Sequence, residues 1–177
     1  MPEPHFIAES PESVGVDPQK LEELFERAER EVREGLLPSV QIAVAREGKL
    51  AGIRTFGSVA HRGRPAPASD DTLYTVFSST KAITSAAAWI LIQEGKLSID
   101  ERVSDIVPGF GENGKEEITV EQVLTHTSGF PHQPMGPPDW YEADGRLQRY
   151  RNWKLSFQPG TRYEYHPTSG MWVISEI

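Results

Sequence analysis

The sequence predicts a mixed α/β (α+β) fold, with a helix and an antiparallel hairpin preceding a mainly helical part. Three observations predict it. Apolar residues recur at helical spacing between Asp17 and Gly35. Two stretches, 40–45 and 50–57, read as strands joined at Glu47-Gly48-Lys49. A run from Ala82 to Ile92 is almost wholly apolar and follows directly on Ser78-Ser79-Thr80-Lys81.

Taken in order, Asp17-Pro18 is a helix start, with Asp17 as N-cap and proline at the first helical position, where its missing N–H costs nothing. Leu21, Leu24, Phe25, Ala28 and Val32 then mark one face, and Glu22, Glu23, Arg27, Arg30 and Glu31 a solvated opposite face. Gly35 suits the left-handed residue that closes a helix. Val40, Ile42 and Val44 alternate with smaller or polar neighbours, and Leu50 to Gly57 forms the returning strand. His61 to Asp71, holding Pro65 and Pro67, reads as a polar loop, and Leu73 to Phe77 as a short strand. The helix that follows should end at Gly95.

A short helix is expected near Glu101 to Ile106, stopped by Pro108. Thr119-Val120-Glu121-Gln122 fits a capping box, in which the Thr and Gln side chains each satisfy a backbone N–H of the other. Pro131 to Gly145 is a long irregular loop of the kind that borders sites. Arg146 to Leu155 reads as helical, Tyr163 to Tyr165 as extended, and Pro167 as the start of a last helix running to Ile177.

Composition narrows the function classes. The 177 residues suffice for one domain with a real core. The absence of cysteine excludes disulfides and thiolate metal sites. A net charge of −8 argues against nonspecific binding to nucleic acid or to anionic membrane. The start, Met1-Pro2-Glu3-Pro4-His5, has neither the basic nor the apolar region of a signal peptide, and no apolar run reaches the ~20 residues of a membrane span. A cytoplasmic protein is expected. His5, His61 and His132 have no metal-ligand spacing, and no phosphate-binding glycine loop occurs, so neither metal nor cofactor is expected.

The chemistry concentrates at Ser78 and Lys81. Residues three apart on a helix share a face, so hydroxyl and amine point the same way. A serine is a poor nucleophile alone, but a neighbouring amine can take its proton. Unpaired N–H groups at the helix start favour developing negative charge.

Three pieces of sequence then carry a resemblance. They are Phe77-Ser78-Ser79-Thr80-Lys81; Gly95-Lys96-Leu97-Ser98-Ile99-Asp100 with Val123-Leu124-Thr125-His126-Thr127-Ser128-Gly129-Phe130-Pro131; and Tyr163-Glu164-Tyr165 after Pro159-Gly160. In order and spacing they resemble the N-terminal part of the serine β-lactamase-like hydrolases: class C β-lactamases, penicillin-binding D-alanyl-D-alanine carboxypeptidases and family VIII carboxylesterases. The resemblance implies a β-lactamase/transpeptidase-like fold, an antiparallel sheet flanked by helices plus a helical subdomain. Here 14–78 would supply the helix and hairpin, and 79–177 the helical part with the site. It also implies an acyl-enzyme on Ser78, with Lys81 as base or proton relay. Tyr165, 87 residues beyond Ser78, would shuttle the proton. The backbone N–H of Ser78 would form half of an oxyanion hole.

Two departures from the family pattern shape the expected activity. The family's Y-x-N reads Tyr165-His166-Pro167, so the asparagine that contacts a substrate amide is absent. The third motif, K-T-G or a relative, is missing with the C-terminal strands that carry it. The expected function is therefore a carboxylesterase acting on small esters. β-Lactamase or D-Ala-D-Ala carboxypeptidase-like activity on an amide, or an inactive binding module, are the alternatives. A second chain supplying the C-terminal strands is the expected partner. His166, Trp140 and Tyr141 are the expected substrate-binding residues; Trp140, Tyr141, Tyr150 and Trp153 could equally pack the helical part. His126 is read as shaping a turn, and a Ser-His-Asp arrangement is disfavoured because no G-x-S-x-G elbow occurs.

Overall fold

The computed structural model describes residues 4–61 and 63–177. The chain divides into two compact units, 1–75 and 76–177. Ser78 thus groups with the helical unit.

In the first unit, helix α1 (Pro18–Arg33) starts where Asp17 accepts hydrogen bonds from the backbone N–H groups of Gln19 and Lys20, at 2.8 and 3.2 Å. Gly35 follows its end with φ of 77°. Leu21, Phe25 and Ala28 are buried where α1 packs on strands β1 (Ser39–Arg46) and β2 (Lys49–His61). Gly52 of β2 lets the helix approach, because a Cβ there would lie 3.1 Å from both Leu21 and Phe25. Arg54 pairs in bidentate fashion with Glu22 at 2.7 and 2.8 Å, its guanidinium 4.8 Å from the Phe25 ring centre.

β1 and β2 are antiparallel, and the two-residue turn Glu47-Gly48 has positive φ at both positions. That geometry matches the right-handed twist of hairpin strands. The register slips between Val44 and Ala45, so Ala51 faces no partner residue. β2 runs on through Gly57 to His61, further than expected. It pairs there with β3 (Arg64–Pro67), inside the segment expected to be a loop. The two prolines of β3 are tolerable because an edge strand has one side without a ladder to donate to.

The expected strand at Leu73 to Phe77 does not form. Residues 72–76 are irregular, and Leu73 is 97% exposed. Apolar and aromatic residues make a strand only where a neighbouring strand accepts their backbone groups, and none pairs here.

The second unit opens with a 3₁₀ turn, Phe77–Ser79, leading into helix α2 (Thr80–Gln93). Short helices α3 (Val103–Ile106) and α4 (Val120–Leu124) follow. Thr119 and Gln122 make both bonds of the capping box of α4, each 3.2 Å. Helix α5 (Ala143–Asn152) begins three residues before the expected start and ends at Trp153. The last helix, α6 (Ser169–Glu176), starts at Ser169 rather than Pro167. Tyr163 to Tyr165 belongs to no strand.

The core of this unit gathers residues from every one of these α-helices and the loops between them: Ala88, Val103, Val107, Phe110, Ile118, Val123, Phe130, Tyr150, Trp153 and Val173. Each large apolar side chain so buried contributes roughly 1.5–3 kcal/mol. Its aromatic centre is edge-on: Tyr150 meets Trp153 with ring centres 5.0 Å apart, and Phe110 meets Phe130 at 5.8 Å. Tyr150 donates to the Trp172 carbonyl at 3.1 Å, and Arg146 reaches Glu176 at 2.7 Å, tying α5 to α6. Among the described residues no helix is long and apolar enough to cross a membrane.

Candidate active site

Ser78 lies in the turn that becomes α2. The preceding residue, Phe77, has φ of 45°, a conformation that costs a bulky residue about 1–3 kcal/mol. From the next turn, Lys81 returns its Nζ to 3.1 Å from the Ser78 Oγ, as the three-residue spacing requires. Tyr165, on the stretch before α6, donates its hydroxyl to the same Oγ at 2.9 Å. The Lys81 ammonium also sits 5.0 Å from the Tyr165 ring centre. One hydroxyl is therefore held between an amine and a phenol.

The electrostatics favour proton movement. Interaction with Lys81, and then with Ser78, holds the Tyr165 phenol below its ordinary pKa, against the smaller opposing effect of burial. A phenol so lowered can give up and take back a proton at less cost.

Ser78 and Lys81 line an open cleft of about 540 Å³ between the start of α2 and α6, and Tyr165 reaches Ser78 from outside that lining. Phe77, Thr84, Pro167, Met171 and Trp172 form much of its wall. Thr168, Met171, Trp172 and Ser175 all line it, following helical spacing along α6. That face belongs to the helix expected to start near Pro167, and not to the expected aromatic wall.

Trp140 and Tyr141 do not line the cleft. Trp140 stacks behind Trp172 with ring centres 5.9 Å apart, and Tyr141 packs edge-on against Trp140 and is 69% exposed. His166 is also displaced from the expected role. It is fully buried, with Nδ1 2.6 Å from the Glu164 carbonyl. Its Nε2 accepts from the Phe130 N–H at 3.2 Å and lies 3.1 Å from the Ser128 hydroxyl. With both ring nitrogens engaged, it fastens the Tyr165 segment to the 128–130 turn. Burial, above all, lowers its pKa. Tyr150 and Trp153 pack the core. Among the described residues no group of three or more His, Asp or Glu side chains is placed to hold a metal ion.

Known proteins resemble this chain in sequence and in fold. A penicillin-binding protein homologue from Caulobacter crescentus is 30% identical and superposes with a TM-score of 0.78, covering 92% of this chain and 44% of that one. A family VIII carboxylesterase is 28% identical, with a TM-score of 0.76 over 90% of this chain and 43% of its own. A curated Escherichia coli (strain K12) protein, described as a candidate D-alanyl-D-alanine carboxypeptidase, is 27% identical over 92% of this chain. The chain spans less than half the length of these relatives, 42% in the last case. Its residues 25–177 match the family described as Beta-lactamase. The chain belongs to the beta-lactamase family, with the mixed helical and antiparallel fold of that family's N-terminal part.

Proposed function

We propose that this chain carries the nucleophile of a serine hydrolase that forms an acyl-enzyme on Ser78 and acts on small esters. The observation that carries the reading is the Ser78 Oγ, 3.1 Å from the Lys81 amine and 2.9 Å from the Tyr165 hydroxyl, at the edge of a largely apolar cleft. In this mechanism the Lys81–Tyr165 pair, with one member deprotonated, takes the Ser78 proton as Oγ attacks the ester carbonyl. The N–H groups at the start of α2 stabilise the oxyanion. Tyr165 returns the proton to the departing alcohol. A water molecule then releases the acid by the reverse proton path, restoring Ser78.

An ester is favoured over an amide or lactam because Pro167 stands where the family pattern places an amide-recognising asparagine. Ser78→Ala is expected to abolish hydrolysis of a short-chain p-nitrophenyl ester; undiminished turnover by that variant refutes the reading.

Turnover is also proposed to need the remaining length that the relatives possess. Two facts support this. The relatives are more than twice as long, since this chain covers 44% of the Caulobacter crescentus structure. In addition, α2 exposes Ile83, Trp89 and Ile90 although it is apolar nearly all round, as buried helices are. Full activity of the purified 177-residue chain, with no second polypeptide in its intact mass spectrum, would exclude it.

A further inference from the structure

His126 lies outside the cleft wall, yet it touches the Tyr165 segment at three points. Its backbone has φ of 60°, the left-handed region, where Asn and His are the better-tolerated side chains. Its carbonyl accepts the Glu164 N–H at 3.1 Å. Its Nδ1 accepts the His166 N–H at 3.2 Å. Its ring lies 5.0 Å, centre to centre, from that of Tyr165, and edge-on to Tyr163 at 6.1 Å. The two backbone bonds fall on the residues immediately before and after Tyr165. They fix the direction in which its side chain leaves the chain.

An Nδ1 that accepts a hydrogen bond carries no proton, so the imidazole is neutral with its hydrogen on Nε2. Protonation would set one N–H against another and add a second cation near Lys81.

We propose that His126 is a positioning residue: its bare Nδ1 holds the Glu164–His166 segment so that the Tyr165 hydroxyl reaches Ser78, and its protonation in acid lets Tyr165 go. The inference rests on the reading of Tyr165 as the proton shuttle. The titratable groups that bear on His126 are Lys81 from α2 and, from the other segment, Tyr163, Tyr165 and His166. Glu164 and His132, paired at 3.2 Å, act on His166 in turn. Burial first, and then the Lys81 charge, hold the pKa of His126 below its ordinary value. The clamp therefore stays neutral until the solution is distinctly acidic.

Two variants separate the ring from the acceptor. His126→Asn keeps an acceptor near the Nδ1 position, suits the left-handed backbone and cannot titrate. His126→Phe keeps a ring but loses the acceptor. Each is compared with wild type in the assembled, active protein by the pH profile of kcat on a p-nitrophenyl ester. Titration of the Tyr165 phenol is followed by ¹³C-tyrosine NMR, assigned with Tyr165→Phe. His126→Phe should lose at least about tenfold in kcat at little-changed KM, a part of the ~10²–10⁴-fold that a placed acid–base group supplies. Its Tyr165 should titrate in the ordinary tyrosine range. His126→Asn should recover most of that loss, keep the lowered Tyr165 titration, and move the acid limb to lower pH.

An unmoved acid limb in His126→Asn, or an unmoved Tyr165 titration in His126→Phe, overturns the proposal. If wild type hydrolyses no ester, the hydrolase reading fails, and the Tyr165 titration still decides the role of His126. His126→Asn keeps the test open should His126→Phe fail to fold.

Discussion

Lys115 gives the sharpest thermodynamic test of how the helical unit is built. Its side chain is fully buried, and Nζ donates to the carbonyls of Trp153, at 2.7 Å, and Glu112. It also lies 5.6 Å from the Phe110 ring centre. Burial lowers its pKa from 10.5 to about 8, with Glu112 and Glu116 opposing. Below pH 8 both folded and unfolded chains carry the charge, and the folded state alone bears its desolvation. Between about 8 and 10.5 the unfolded chain holds the proton that the folded one has released, so stability rises with pH. At ~1.4 kcal/mol per pH unit, a gap from 10.5 to 8 amounts to about 3 kcal/mol.

The reference is Lys115→Met, which cannot titrate. It leaves two carbonyls without their donor, at roughly 1–3 kcal/mol each, but that cost does not vary with pH. Urea unfolding of both proteins from pH 7 to 10.5 isolates the lysine, because all other titrations cancel in the difference. Wild type should gain about 3 kcal/mol on the variant across that window. A difference that stays flat would mean that Lys115 is not desolvated as its burial implies.

The remaining predictions concern the site. Gly129 has φ of 89°, and a Cβ there would strike the Phe157 carbonyl and come 3.2 Å from Leu155. Gly129→Ala should therefore cost about 2–5 kcal/mol in urea unfolding, from ~1–2 for the left-handed backbone and ~1–3 for overpacking; a loss under ~1 would refute the account. Trp172→Ala removes one wall of the cleft and should shift ester preference toward longer acyl chains, by up to ~4-fold per methylene at ~0.8 kcal/mol each. An unchanged chain-length profile would remove Trp172 from the acyl site.

The sequence was most legible where local physics decides the outcome. Asp17-Pro18, Glu47-Gly48 and Thr119–Gln122 each fix a cap or turn within a few residues, and each forms as read. The S-x-x-K spacing places Lys81 on Ser78 for the same reason. Legibility failed where a distant partner decides. Leu73 to Phe77 has strand-like composition but no ladder to join, and Arg64 to Pro67 looks like loop yet finds one on β2. The aromatic residues failed similarly. Trp140, Tyr141 and Trp172 are alike in composition, and only the direction in which α6 faces selects Trp172 for the cleft. His166 faces the core and not the cleft because sequence adjacency to Tyr165 says nothing about direction: neighbours in an extended stretch point opposite ways.

The structure thus holds its two halves of the site by different means. The backbone on both sides of Tyr165 is hydrogen-bonded to His126. His126 and His166 cross-link its segment to the 126–130 turn, and Phe130 of that turn is wedged against Trp153 in the core. Trp153 is held in turn by the Pro134 carbonyl and by Lys115. Among the described residues no buried side-chain nitrogen or oxygen lacks a partner. Ser78, in the 3₁₀ turn, and Lys81, on the first turn of α2, instead belong to a segment whose outer residues Ile83, Trp89 and Ile90 are exposed. Exposed apolar surface of that kind stabilises nothing until it is covered. Ser78 meets the Tyr165 hydroxyl where α2 packs on α6. Changes that loosen that packing should weaken the Ser78–Tyr165 contact before they disturb the core.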